Sequence, residues 1–236
     1  MSPDRLHRQL RMRRPPVSPV ALTIGIVICC GCAVGMLMNY LTCTLYGFER
    51  DTIGFLRVGA AQLVLPASLT LACLLRVEYR AFALVRHDPR TQLTANLRHI
   101  MLISLSTAVC GVALFALIVS IRVGLPRAND IPLLLITTVL TSMMNMSLAL
   151  LNMLLVICGL PWAYGTAILI AFFVLARWML LPLGGNIQRY VCFFWYPLSF
   201  DWNIILVQQL LPFIGYCIVM ILTIVTVFGH RDRLET

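Results

Sequence analysis

The sequence predicts an all-α integral membrane protein with six transmembrane helices and both ends in the cytoplasm. Three observations carry that expectation. Hydrophobic residues make up 60% of the 236 positions, and only 11% are charged, where a soluble domain is about a quarter charged. The charge is bunched between long apolar runs, as in a chain whose solvent is lipid. The arginines, finally, are distributed unevenly over the segments that join those runs.

Six runs are long enough to cross about 30 Å of hydrocarbon, which takes about 20 helical residues. They are Val20–Leu41, Phe55–Leu75, Ile100–Ile121, Ile131–Ile157, Trp162–Leu183 and Ile204–Phe228. The first is longer than a signal-peptide core and lacks a convincing small-residue cleavage site, so it reads as retained. The fourth and fifth are separated only by Gly159-Leu160-Pro161, a sequence that stops one helix and restarts another. Residues 1–19 form a basic N-terminus, 20–228 a single membrane domain and 229–236 a short tail.

Orientation follows from arginine. With the N-terminus inside, the inner segments hold Arg5, Arg8, Arg11, Arg13, Arg14, Arg76, Arg80, Arg86, Arg90, Arg98, Arg231 and Arg233. The outer segments hold Arg50, Arg122, Arg127 and Arg189. The six-span count makes both ends basic and inside.

All eighteen basic residues are arginine. A Walker A loop, a Schiff-base enzyme and a kinase each need a lysine, so those classes are excluded. Nothing in the chain suggests nucleic-acid binding, a cofactor or a metal site. The nine cysteines show no zinc spacing, and most lie in or beside apolar runs as small apolar side chains. Cys43 and Cys192 fall in outer segments, and a bridge between them stays open. All nine acidic residues and the four histidines lie outside the spans or at their edges. That disfavours an intramembrane hydrolase or a proton-coupled pump.

Within the spans, Thr138, Ser142, Asn145 and Asn152 share one face of the fourth helix. Such a stripe glues helices together or lines a substrate path. Gly31 and Gly35 form a GxxxG packing pair in the first span. Arg57 and Arg177 enter spans near their outer ends; each snorkels to the interface, or Arg177, beside Trp178, faces an outward cavity.

Two connecting segments exceed what a connection requires. The inner loop Arg76–His99 mixes basic and apolar residues, with Phe82, Leu84 and Val85 before a His87-Asp88-Pro89 break and Leu93 and Leu97 after it. It reads as a loop on anionic lipid or as an amphipathic element docking on a cytoplasmic partner. The last outer segment contains Tyr190, Phe193, Phe194, Trp195, Tyr196, Phe200 and Trp202 around Pro197. It reads as an interfacial or re-entrant segment, either a belt or a gate with Phe194, Trp195 and Tyr196 over the outer end of a path.

With these features the chain resembles the type-2 ABC exporter permeases, and among them the small lantibiotic-export and immunity permeases. The resemblance covers nearly the whole chain and rests mainly on layout. Locally it rests on Glu78, the stretch Tyr79–Val85, Asp88-Pro89-Arg90 and Arg98 in the inner loop. Pro197-Leu198-Ser199 is similar to a Pro-Trp-Ser motif, with leucine in place of tryptophan. The resemblance implies a homodimer, or a heterodimer with a paralogous permease, bound to separate ABC ATPase subunits in a bacterial plasma membrane. Glu78, Arg80, Arg86, Asp88 and Arg90 would couple to the ATPase; Asn145, Asn152, Arg177, Phe194, Trp195 and Tyr196 would line or gate the path. The cargo would be a hydrophobic or amphipathic peptide or a lipid-like molecule. Two other readings compete, a substrate-capture membrane subunit of a vitamin importer and a non-transporting scaffold.

The topology is directly testable. Single cysteines at positions 90 and 233 in a cysteine-free background are expected to label only from the cytoplasm, and those at 127 and 201 only from outside. Labelling of 90 and 233 on opposite sides would refute the span count.

Overall fold

The computed structural model describes residues 19–76, 89–180 and 200–234. They form α1 (Pro19–Thr42), α2 (Phe48–Gly54), a π-helical stretch (Phe55–Val64), α3 (Leu65–Leu74), α4 (Pro89–Val123) and α5 (Asp130–Ile157). Then follow α6 (Trp162–Leu180), α7 (Trp202–Ile205), a second π-helical stretch (Leu206–Leu210) and α8 (Leu211–Leu234). No strand occurs among the described residues. Four stretches are long and apolar enough to cross a bilayer: Leu22–Thr42, Leu93–Val123, Asp130–Ile157 and Trp202–Phe228. Phe48–Gly54 with Gly59–Leu74, bent by 48°, makes a fifth if the pair counts as one span. α6, Trp162–Leu180, covers all but the end of the fifth expected span.

The boundary between α5 and α6 lies where the sequence puts it. The Leu160 N–H reaches back to the Leu155 carbonyl at 3.0 Å, and the Gly159 N–H to Val156 at 2.9 Å. Gly159 adopts φ 110°, a conformation costly for any residue with a Cβ. This is the Schellman closure of a helix, followed by a proline that cannot continue it.

Two helical runs start earlier than hydropathy alone suggests. The second begins at Phe48 instead of Phe55, so Asp51, expected in a loop, lies in a helix and is buried. Its carboxylate accepts the Tyr46 N–H at 3.0 Å and the Gly47 N–H at 3.0 Å. The third begins at Pro89 instead of Ile100. Proline suits a first helical position, since its missing N–H would have no helical partner there. Leu93 is buried and Leu97 packs on the core, so this half of the segment expected as an inner loop continues the apolar helix α4.

Both π-helical stretches end just before a proline inside a helical run, Pro66 and Pro212. A proline has no N–H for the carbonyl four residues back, and its ring presses on that carbonyl. Widening the preceding turn accommodates the misfit.

α5 is the central element, packed against α2, the first π stretch, α3, α4, α6 and α8. α1 lies to one side, on the π stretch, α3 and α4. It is joined there by an aromatic cluster: the Tyr40 and Phe115 rings meet edge-on at 5.2 Å, and Phe55 and Phe115 lie 4.7 Å apart. Such pairs contribute about 0.5–1.5 kcal/mol beyond their burial. The Arg122 guanidinium donates to the carbonyls of Leu41 and Cys43, tying the end of α4 to the end of α1. The GxxxG pair divides: Gly35 approaches Leu63, whereas nothing lies within 4 Å of a Cβ at Gly31. Cys43 donates its thiol to Asn39 Oδ1 at 3.5 Å; Cys192 lies outside the described residues.

α5 and α6 come close at Gly165, where a Cβ would stand 2.2 Å from Asn152 Oδ1. Gly165→Ala is expected to destabilise the protein by about 1–3 kcal/mol through overpacking, read as a lower thermal midpoint in detergent. An unchanged midpoint would show that the two helices separate without cost.

Candidate functional site

α5 makes polar contacts with three neighbouring helices, two of them through members of the expected stripe. Asn145 is fully buried. Its amide Nδ2 donates to Thr107 Oγ1 at 3.2 Å and faces the Ser104 carbonyl at 3.5 Å, both on α4. Asn152, also buried, donates to Thr166 Oγ1 on α6 at 2.9 Å. Between them, the Ser147 carbonyl accepts the Tyr216 hydroxyl of α8 at 3.2 Å. Thr138 turns its hydroxyl back on the Leu134 carbonyl at 2.9 Å.

Asn145 and Asn152, two turns apart on one face, therefore join α5 to different partners. Each keeps an amide oxygen with no hydrogen-bond partner, as do the hydroxyls of Ser104 and Thr141. Unpartnered buried oxygens are costly in a low-dielectric interior. They leave this hub with spare capacity to accept a hydrogen bond.

Thr107 also lines a cavity of about 290 Å³ between α1, the first π stretch with α3, and α4. Its walls are mostly apolar and include Cys29, Cys32, Met36, Leu63 and Cys110. The hub therefore has one hydroxyl bordering space large enough for part of an apolar guest.

Acidic groups stand elsewhere. Among the described side chains they are Glu49, Asp51, Asp130 and Asp201, each in the first turn or at the cap of a helix. There a negative charge complements the helix dipole. Among the described residues, no three His, Cys, Asp or Glu side chains converge as metal ligands.

The other expected site residues are placed less completely. Arg90 lies in the first turn of α4 and Arg177 in α6, with side chains outside the described set. Glu78, Arg80, Arg86, Asp88, Phe194, Trp195 and Tyr196 lie outside the described residues. The sequence reading missed Ser104, Thr107 and Thr166. The signal was a small hydroxyl in an otherwise apolar helix, which does not reveal its partner. No family model, curated protein or solved structure matches the chain.

Asn145 and Thr107 are expected to act as a pair. A double-mutant cycle with Asn145→Leu and Thr107→Val should give a coupling of about 0.6 kcal/mol, the average for interhelical hydrogen bonds in a membrane, and at most about 1.7 kcal/mol. Strictly additive losses of unfolding free energy would rule the bond out.

Proposed function

We propose that this chain is the membrane permease subunit of an ATP-driven exporter of the type-2 ABC kind. It spans the bilayer six times, with both ends inside, and has no ATPase of its own. Its cargo is a hydrophobic or amphipathic peptide or a lipid-like molecule, as in lantibiotic export and immunity. It works as a dimer, with itself or a paralogous permease, in a bacterial plasma membrane.

One observation carries the reading. The described interior is polar through amides and hydroxyls, centred on Asn145, and the described carboxylates stand at helix starts. A bundle of that kind offers hydrogen bonds to a neutral or amphipathic guest. Its driving force then comes most simply from a partner that hydrolyses ATP. Helix lengths support six crossings: α6 has 19 residues, or about 28 Å at 1.5 Å per residue. The run Phe48–Leu74 supplies another crossing if its bend is accommodated within the bilayer.

In this reading the segment before α4 receives the ATPase, through Glu78, Arg80, Arg86, Asp88 and Arg90. Because α4 is continuous from Pro89 to Val123, a push at Arg90 would travel along one rigid rod to the far end of the bundle. Phe194, Trp195 and Tyr196 would cover the exit.

Charge reversal at Glu78 and Arg86 together is expected to uncouple ATP hydrolysis from transport while membrane insertion stays normal. Removing one partner of a partly buried pair costs about 2–5 kcal/mol, enough to weaken recruitment of the ATPase in a pull-down. Unchanged recruitment together with unchanged transport would refute the coupling role.

A further inference from the structure

A second cavity, of about 520 Å³, opens at the end of the bundle where α1 and α4 finish and α2 and α5 begin. One side is the segment Tyr46–Ile53, the other Val123–Asp130. Both sides turn on glycines with positive φ, Gly47 at 124° and Gly124 at 107°. Arg122, holding the Leu41 and Cys43 carbonyls, fixes the base. Asp51 is committed to the Tyr46 and Gly47 N–H groups. The walls of the cleft are thus braced by Arg122 and Asp51, neither of which lines it.

That lining carries two guanidiniums, Arg50 and Arg127, and two carboxylates, Glu49 and Asp130. Arg50 stacks over the Tyr46 ring, 4.5 Å from its centre. One Asp130 oxygen accepts the Arg127 backbone N–H at 2.7 Å. Among the described residues, neither guanidinium is paired with a carboxylate. Arg50, Arg127 and Glu49 are exposed, and Phe48, Ile53, Val123 and Leu125 supply apolar wall.

The cleft sits at the level where the apolar α4 ends, the hydrocarbon–water boundary of a membrane helix. A ligand that matches it has one negative and one positive group close together and an apolar body below. Guanidiniums suit phosphate oxygens, and an ammonium brings three donors for two carboxylates.

We infer that this cleft binds a zwitterionic phospholipid of the ethanolamine class, phosphate on Arg50 and Arg127, ammonium on Glu49 and Asp130. The inference requires only that the chain is embedded in a bilayer, so it stands or falls independently of the transport reading.

The test is native mass spectrometry of the full chain in detergent, titrated with dioleoyl phosphatidylethanolamine, phosphatidylcholine or phosphatidylglycerol. Phosphatidylethanolamine is expected to bind about tenfold more tightly than phosphatidylglycerol, the equivalent of one charge-assisted contact. The double variant Arg50→Gln/Arg127→Gln should lose that binding. Glu49→Gln should move the preference towards phosphatidylglycerol, a change of selectivity that misfolding does not produce. Binding of phosphatidylcholine or phosphatidylglycerol by the native chain as tight as that of phosphatidylethanolamine, or undiminished binding by the double arginine variant, would overturn the site. Displacement of bound phosphatidylethanolamine by soluble glycerophosphoethanolamine at millimolar concentration would overturn the lipid as its source and assign a free zwitterion instead.

Discussion

Lipid offers no hydrogen bonds, so a membrane chain must satisfy its polar groups from within. In this protein that constraint determines which helix is central. α5 carries Thr137, Thr141, Asn145, Ser147 and Asn152, all buried. Thr137 and Ser147 return their hydroxyls to carbonyls of α5 itself, but the Asn145 and Asn152 amides find no such partner, and at the rim of the bundle α5 would leave them facing lipid. Surrounded by α4, α6 and α8, it finds Thr107, Thr166 and the Tyr216 hydroxyl as partners. α1 has few polar groups to hide and stays at the side, with Val20, Leu22, Ile24, Ile26 and Val27 exposed. The order of burial follows the distribution of amides and hydroxyls as much as that of apolar residues.

Much of this was legible in the sequence, because lipid makes hydrophobic length a strong signal. The apolar helices fall on the expected runs, and the Gly159-Leu160-Pro161 break is resolved to individual hydrogen bonds. The shared face of Asn145 and Asn152 was readable from spacing. Their separate destinations were not, since periodicity gives the direction of a side chain and never the neighbour it meets. The early starts at Phe48 and Pro89 escaped for a related reason. Hydropathy marks where a helix enters lipid, whereas the helix begins where capping and backbone chemistry allow. Asp51 shows the point: charged and expected outside, it is buried because two backbone N–H groups receive it. The π-helical turns follow from Pro66 and Pro212 once a helix is known to run through both prolines, and a sequence alone does not establish that.

The arrangement also separates strong from weak joints. α4, α5 and α6 are linked by short connections, by the amides of Asn145 and Asn152, and by the close approach at Gly165. Sliding any of these helices would strand a polar group in a medium without replacement partners. α1 is held differently, by the Tyr40–Phe55–Phe115 rings and the Arg122 contacts near one end. Lower down, its contact with α3 and α4 is interrupted by the cavity beside Cys29, Cys32 and Cys110. Atoms lining a void lose the dispersion contacts of a packed interface, so less is given up when the helices there move apart. Pivoting α1 about its aromatic end breaks no interhelical hydrogen bond of the α5 hub. The looser joint is therefore the one between α1 and α4, where the hydroxyl of Thr107 borders the cavity.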